Sequence, residues 1–276
     1  MNKILLIAML TLLCSGNALA ERRLVTAGGS LTEIIYALDA EALLVAVDSS
    51  SHYPPEAKSL PQIGYFRALN VEGVLSMKPD ELLLLSGSGP QSVINQLTAL
   101  SLKTTIIDNP KSVAGLIKTI RQVADAADRK NSGEILVKKV QDEIAEIKEL
   151  SSLEGKKAVF LMSAGERGLV AAGNNTTPQL IFELLGLTNP FAELDNFKPV
   201  SAEAIVSDMP DIILLASHTS QDITVEALCA DPQLQLWAEK VGCRLHKVDS
   251  LRYMGLTPRL PKSLKETHQL LSGYAN

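Results

Sequence analysis

The 276-residue sequence predicts an α/β protein: two doubly wound lobes with mostly parallel central sheets, joined by a long connecting helix, with a ligand cleft between the lobes. Three observations carry this. Short β-branched runs alternate with helix-like segments ("RRLVTAG" before "SLTEIIYALDA", then "ALLVAVDSS", "PDELLLLSG", "SVINQLTAL" and "KTTIID") in the rhythm of a parallel sheet with crossover helices. The rhythm stops from Ser112 to Leu153, where helical patterning takes over, and resumes at "KKAVFLMSAG". The flanks of this interruption echo each other, which two similar lobes explain better than one continuous sheet.

In chain order, "MNKILLIAMLTLLCSGNALA" comes first. A Lys near the start, an apolar run from Ile4 to Leu13 and Ala18-Leu19-Ala20 before Glu21 read as a secretory signal peptide, residues 1–20. A lipid anchor on Cys14 is disfavoured, because Leu13 stands where a lipobox needs a small residue. No later stretch is long and apolar enough to span a bilayer. The remainder, about 256 residues, suits two lobes. It divides into an N-terminal lobe (21–130), a connecting helix (131–154) and a C-terminal lobe (155–276). In the connecting segment, Ile135, Leu136, Val140, Ile144 and Ile147 follow a 3.6-residue period.

The echo is most legible in two stretches. Glu72 to Pro79-Asp80 and Glu203 to Pro210-Asp211 have the same spacing, each followed by a Leu/Ile run that reads as a buried strand. "AGGSLTEIIYAL" is loosely matched by "AGNNTTPQLIFELL". Pro79 and Pro210 end helices, and Asp80 and Asp211 form turns. Glu72 and Glu203 sit early in helices, where a carboxylate favours the dipole. Alternatively they are matched acidic knobs offered to one partner.

Composition excludes several classes. Formal net charge is −5, and becomes −6 once Lys3 leaves with the leader, which argues against nucleic acid as a partner. "SGSGP" is not a nucleophile elbow, and Gly28-Gly29 lacks the Walker lysine and the full dinucleotide pattern, so no catalytic residue is assigned and the protein is not read as an enzyme. His52, His218, His246 and His268 lack metal-ligand spacing. His218, after the strand "DIILLAS", is a weak candidate for lining the cleft. In an oxidising compartment Cys229 and Cys243 either close a small disulfide loop or remain two free, buried thiols.

The stretch "GYFR" needs its own account. In an extended lead-in Tyr65 and Arg67 point to the same side. A phenol is a poor ligand at neutral pH, a nearby guanidinium favours the phenolate, and phenolate oxygen binds ferric iron. The plain alternative packs Tyr65 on the surface and pairs Arg67 with Glu72.

"IGYFRALNVEGVLSMKPDELL", the "SGSGP" that follows, and "DSLRYMGLTPRLPKSL" near the C-terminus resemble the periplasmic haem-binding proteins of bacterial ABC haem importers. The resemblance covers nearly all of the chain after the leader. Siderophore-binding and cobalamin-binding relatives share the lobes and the Glu-to-Pro-Asp pattern; Tyr-x-Arg-x-Leu-x-x-Glu-Gly belongs to the haem branch.

By that resemblance Tyr65 is the axial ligand of the haem iron and Arg67 its hydrogen-bonding neighbour. Arg259 in "GLTPR" faces a propionate, unless it is a solvated Arg in a Pro-bounded loop, and Tyr253 flanks the porphyrin or belongs to the core. Glu72 and Glu203 match acidic contacts to the two permease subunits. The branch's second-lobe His is replaced here by "LMSAGERG", with Ser163, Ala164 and Gly165, so the iron is five-coordinate through Tyr65 or takes a sixth ligand elsewhere. The implied protein is a monomeric periplasmic carrier that captures ferric haem and delivers it to an inner-membrane ABC permease dimer with its ATPase. A ferric-siderophore or cobalamin carrier is the alternative, ahead of an enzyme or a zinc or manganese carrier.

Overall fold

A computed structural model describes residues 22–150, 153–163, 168–217 and 223–274; the leader, with Cys14, lies outside them. In the first lobe, β1 (Leu24–Ala27), β2 (Leu44–Val47), β3 (Glu81–Leu85) and β4 (Lys103–Ile107) form a sheet in the order β2-β1-β3-β4. Every pairing is parallel. Helices α1 (Gly29–Ala37), α2 (Val71–Ser76) and α3 (Gln91–Ala99) make the crossovers. The chain steps from β1 outward to β2 and then back to β3, so the strand order reverses between β1 and β3. In open α/β sheets that switch point is where ligands bind, outside the carboxyl ends of the strands.

The second lobe contains β5 (Ala158–Ser163), β6 (Leu169–Ala172), β7 (Phe197–Val200), β8 (Ile212–Ala216) and β9 (Leu245–Val248), ordered β7-β6-β5-β8-β9. This sheet is also mostly parallel, four of its five strands running one way and β6 alone against them. β5, β8 and β9 run parallel, but β6 pairs antiparallel with both β5 and β7. Only residues 164–168 separate β5 from β6, too few for a crossover, so the chain must return as a hairpin. The helix α6 (Thr177–Leu184) that echoes α1 therefore follows β6 rather than the lobe's first strand.

Between the lobes run α4 (Val113–Ala126) and the connecting helix α5 (Lys130–Lys148), which ends short of the boundary expected at 154. Its buried positions are Gly133, Leu136, Val137, Val140, Ile144 and Ile147. Ile135 is 71% exposed, so it falls outside the apolar stripe and Val137 takes the place assigned to it. The alternation of the strands explains what α5 packs against. Leu83 and Leu85 face one side of the first sheet and Leu82 and Leu84 the other; Ile212, Leu214 and Ala216 alternate with Ile213 and Leu215 in the second. The inner faces of both sheets, with α1, α4, α5, α6 and the C-terminal helix α11 (Leu260–Ser272), belong to one continuous core. A shared core of this kind resists hinge bending, because opening the lobes would expose apolar area to water.

The sequence echo is a structural repeat. Asn70 caps α2 by accepting from Gly73 N at 2.6 Å, and Ser201 caps α7 (Ala202–Asp208) by accepting from Ala204 N at 3.2 Å. Each helix ends at a left-handed residue before proline, Lys78 (φ 47°) and Met209 (φ 46°). The Asp that follows does more than turn the chain. Asp80 accepts from the backbone N–H of Arg23 at 2.9 Å and Asp211 from that of Lys157 at 2.7 Å, so each pins the entry to its lobe's central strand. The side chains of Arg23 and Lys157 return the bond to carbonyls at the helix ends, Met77 O and Asp208 O.

Cys229, at the end of α8 (Val225–Cys229), and Cys243, after α9 (Gln235–Val241), are joined by a disulfide with Cα atoms 5.9 Å apart. Of the two alternatives left by spacing, the structure takes the bridge. It lies in the outer core of the second lobe beside Trp237.

Candidate functional site

The site is organised by Asp48, which the sequence analysis did not single out. It follows β2 and is fully buried. Its carboxylate accepts from the backbone N–H of Gly28 (3.0 Å), Ser50 (3.0 Å) and Phe66 (3.3 Å), and from the hydroxyls of Ser50 (2.7 Å) and Ser51 (2.9 Å). One carboxylate thus fastens the turns after β1 and β2 and the loop carrying Tyr65. Gly28 has φ +125°, and a Cβ there would lie 2.6 Å from Leu85 Cβ, so glycine serves close packing at the switch point.

The Tyr65 loop is stitched across the carboxyl ends of the strands. Ser49 N donates to Gly64 O (2.8 Å), Gly89 N to Phe66 O (3.0 Å) and Leu69 N to Gly89 O (2.8 Å). Tyr65 to Ala68 forms a turn closed by Ala68 N to Tyr65 O at 2.7 Å, so the extended lead-in expected for "YFR" is corrected. Tyr65 is 45% exposed, and its hydroxyl makes no hydrogen bond to a described residue. Its ring meets Phe66 edge-on at 4.8 Å. Arg67, in the middle of the turn, lies over the Phe66 ring at 5.0 Å. Among the described residues it forms no ion pair with Glu72.

Arg259 is placed differently from either expectation. It is neither solvated nor an uncommitted cation. Its Nε and Nη2 donate to Glu33 Oε1 (2.8 Å) and Oε2 (2.7 Å), and its Nη1 donates to Asp249 Oδ2 (3.1 Å). Two carboxylates already compensate its charge in this structure. Its guanidinium also lies 3.7 Å from the centroid of the Tyr53 ring. Burial pushes the Asp249 carboxyl up, but Arg259, the Leu251 N–H and Arg252 outweigh this and hold it below its ordinary value.

Tyr253 is likewise corrected: it is fully buried and cannot flank a ligand. It stacks on Phe160 at 5.9 Å, and its hydroxyl is bonded to Thr267 Oγ1 at 2.8 Å. Burial pushes its phenol well above the ordinary value. What α10 (Ser250–Met254) does offer is Leu251 and Met254, 37% and 38% exposed. With Tyr53 and Tyr65 they place exposed apolar groups at the carboxyl ends of both sheets.

His218, Ala164 and Gly165 lie outside the described residues. The other histidines gather no metal site, since no group of three or more His, Cys, Asp and Glu is placed to hold an ion among the described residues. Glu72 and Glu203 are both exposed, each the second residue of its helix, α2 and α7. The Glu203 carboxyl is held below its ordinary value by its own backbone N–H and by the Ser201 hydroxyl. A depression of about 430 Å³ bordered by Arg22, Asp125, Arg129 and Lys130 lies before β1 and at the α4–α5 turn, away from the carboxyl ends.

Two further residues escaped the sequence analysis. Glu33 lies inside the amphipathic pattern of α1, where nothing announces a partner 226 residues away. Tyr53, in "HYPP", carries only the signal of an aromatic in a chain with 4% aromatics. Asp48 was more accessible, as an ionisable residue ending the apolar run "ALLVAV" and followed by three serines.

Residues 24–237 match the family described as periplasmic binding protein. The chain belongs to this family. This periplasmic binding protein is similar to the periplasmic heme-binding protein RhuT from Roseiflexus sp. RS-1, at 31% identity and a TM-score of 0.86, over 93% of this chain and all of that one. The periplasmic heme-binding protein HutB of Vibrio cholerae matches at 29% identity and a TM-score of 0.84, over 91% and 99% of the chains. In sequence, the vitamin B12-binding protein of Pectobacterium carotovorum is 27% identical over 85% of this chain and 88% of its own. The family works in the periplasm as the substrate-binding component of ABC transport.

Proposed function

We propose that this periplasmic binding protein captures ferric haem and hands it to an ABC permease, after export directed by residues 1–20. The observation that carries the reading is Tyr65: a phenol 45% exposed, its hydroxyl unbonded among the described residues, on a loop fixed by Asp48 over the switch point. A phenolate there meets the iron, and apolar Leu251 and Met254 take a face of the ring. Arg67, exposed at the same turn, is the cation for a propionate. Similarity to the haem-binding proteins of Roseiflexus and Vibrio cholerae supports this choice.

The test is titration of the mature protein with ferric haem beside a Tyr65→Phe variant. Saturable binding with a tyrosinate-to-iron charge-transfer band that disappears in the variant is the expected result. Binding and spectrum unchanged in the variant would remove Tyr65 from the iron. A second reading, cobalamin as cargo, is favoured by the 26–27% identity to vitamin B12-binding proteins. Cyanocobalamin bound equally by both proteins, with no haem binding, would establish it.

Delivery rests on Glu72 and Glu203, one exposed carboxylate per lobe in matching helix positions, engaging the two permease subunits. Reversing both charges should leave haem binding intact and abolish transport. Transport at the unmodified rate would sink the docking role.

A further inference from the structure

The sharpest unexplained feature near the site is Tyr53. It stands on the same connection between β2 and α2 as Tyr65, at the carboxyl edge of the first sheet. Arg259, from the other lobe, covers one face of its ring at 3.7 Å. That guanidinium is itself held in place: its side chain is 11% exposed, and its N–H groups are committed to Glu33 and Asp249. Even so, Tyr53 remains 39% exposed, and its hydroxyl makes no hydrogen bond to a described residue. A ring whose only task was to shield the ion pair would gain by burying its remaining surface.

We propose that Tyr53 is a specificity-determining stacking face for the planar macrocycle of the ligand, with Arg259, Glu33 and Asp249 acting as its positioning residues. The proposal deepens the haem reading and rests on it for the identity of the ring. An aromatic face carries negative charge density, which weakens face-to-face contact with an electron-rich π system. A cation behind the ring draws that density back and makes the open face a better partner for a porphyrin. The buttress also crosses the lobe boundary, so the stacking face is held where a flat ligand entering between the lobes must pass.

The experiment compares the wild type, Tyr53→Leu and Tyr53→Phe in titrations with ferric haem and with metal-free protoporphyrin IX, which has no iron for Tyr65 to bind. Tyr53→Leu should weaken both ligands about tenfold, the scale of one aromatic stack together with its buried area, while Tyr53→Phe stays within about twofold. The tyrosinate charge-transfer band of the haem complex should persist in Tyr53→Leu, since the iron ligand is untouched. Affinity for protoporphyrin unchanged in Tyr53→Leu overturns the proposal, even if Tyr65 proves to hold haem. If the wild type binds neither porphyrin but binds cyanocobalamin, only the haem reading falls. The corrin then replaces the porphyrin: a similar loss in Tyr53→Leu supports the stacking face, and equal affinity overturns it. A wild type that binds none of the three overturns both.

Discussion

Arg259 and Glu33 form a bidentate, nearly buried ion pair that joins the two lobes. Their side chains are 11% and 6% exposed, and the two bonds measure 2.8 and 2.7 Å. With the continuous core behind it, this pair ties together lobes whose only covalent link among the described residues is the α4–α5 segment.

Removing one partner leaves a buried charge short of compensation. Glu33→Gln should lower stability by about 2–4 kcal/mol, below the usual cost of breaking a buried pair because Asp249 still faces Arg259. For a chain of this size the thermal midpoint should fall by roughly 5–15 °C, measured by calorimetry. The double replacement Glu33→Leu with Arg259→Met should recover most of the loss, because apolar groups of similar size need no compensation.

Acid should loosen the same cluster. The Asp249 carboxyl is depressed in the folded protein, so its contribution is present above its unfolded pKa, near the ordinary carboxylate value, and is lost as pH falls through the folded one. Urea titrations below about pH 4 should therefore show a shallower decline for Asp249→Asn than for the wild type. Parallel slopes would remove Asp249 from the acid transition.

Asp48 is the residue whose loss should couple stability to binding. In Asp48→Asn the amide nitrogen cannot accept from Ser50 N or Phe66 N, so donors within the turns lose their acceptor. A cost of about 2–3 kcal/mol in urea unfolding is expected, together with loss of the Tyr65-dependent haem spectrum as the loop is released. Intact binding in a destabilised variant would separate the two effects.

The disulfide closes a short loop in the outer core of the second lobe, with a separation of 14 residues. On the chain-entropy account, replacing both cysteines by serine should cost about 3 kcal/mol. Ligand affinity should not change, since the bridge lies behind the sheet rather than at its carboxyl edge. A free-thiol assay and a thermal scan with and without reductant would check both points.

Sequence alone determined the layers of this protein, because they follow from local periodicity. Alternating β-branched runs specify strands, the 3.6-residue stripe specifies the connecting helix, and the Glu-to-Pro-Asp echo marks a repeated unit whose N-terminal caps, Asn70 and Ser201, are near neighbours in the chain. The pairing of Tyr65 with Arg67 in "GYFR" also drew notice in the sequence, but as an extended lead-in; the turn that carries them came only with the fold.

Tertiary structure decided whatever depends on residues far apart. The hairpin of β5 and β6 follows from a linker length that the strand pattern did not delimit. Val137 rather than Ile135 faces the core because two neighbouring helices fix the roll of α5. Arg259 and Tyr253 both stand in "DSLRYMGLTPRL", yet one is spent on Glu33 from the other lobe and the other is sealed against Phe160. Residue type and spacing state what a side chain is able to do; which partner reaches it first is settled only when the lobes close around a shared core.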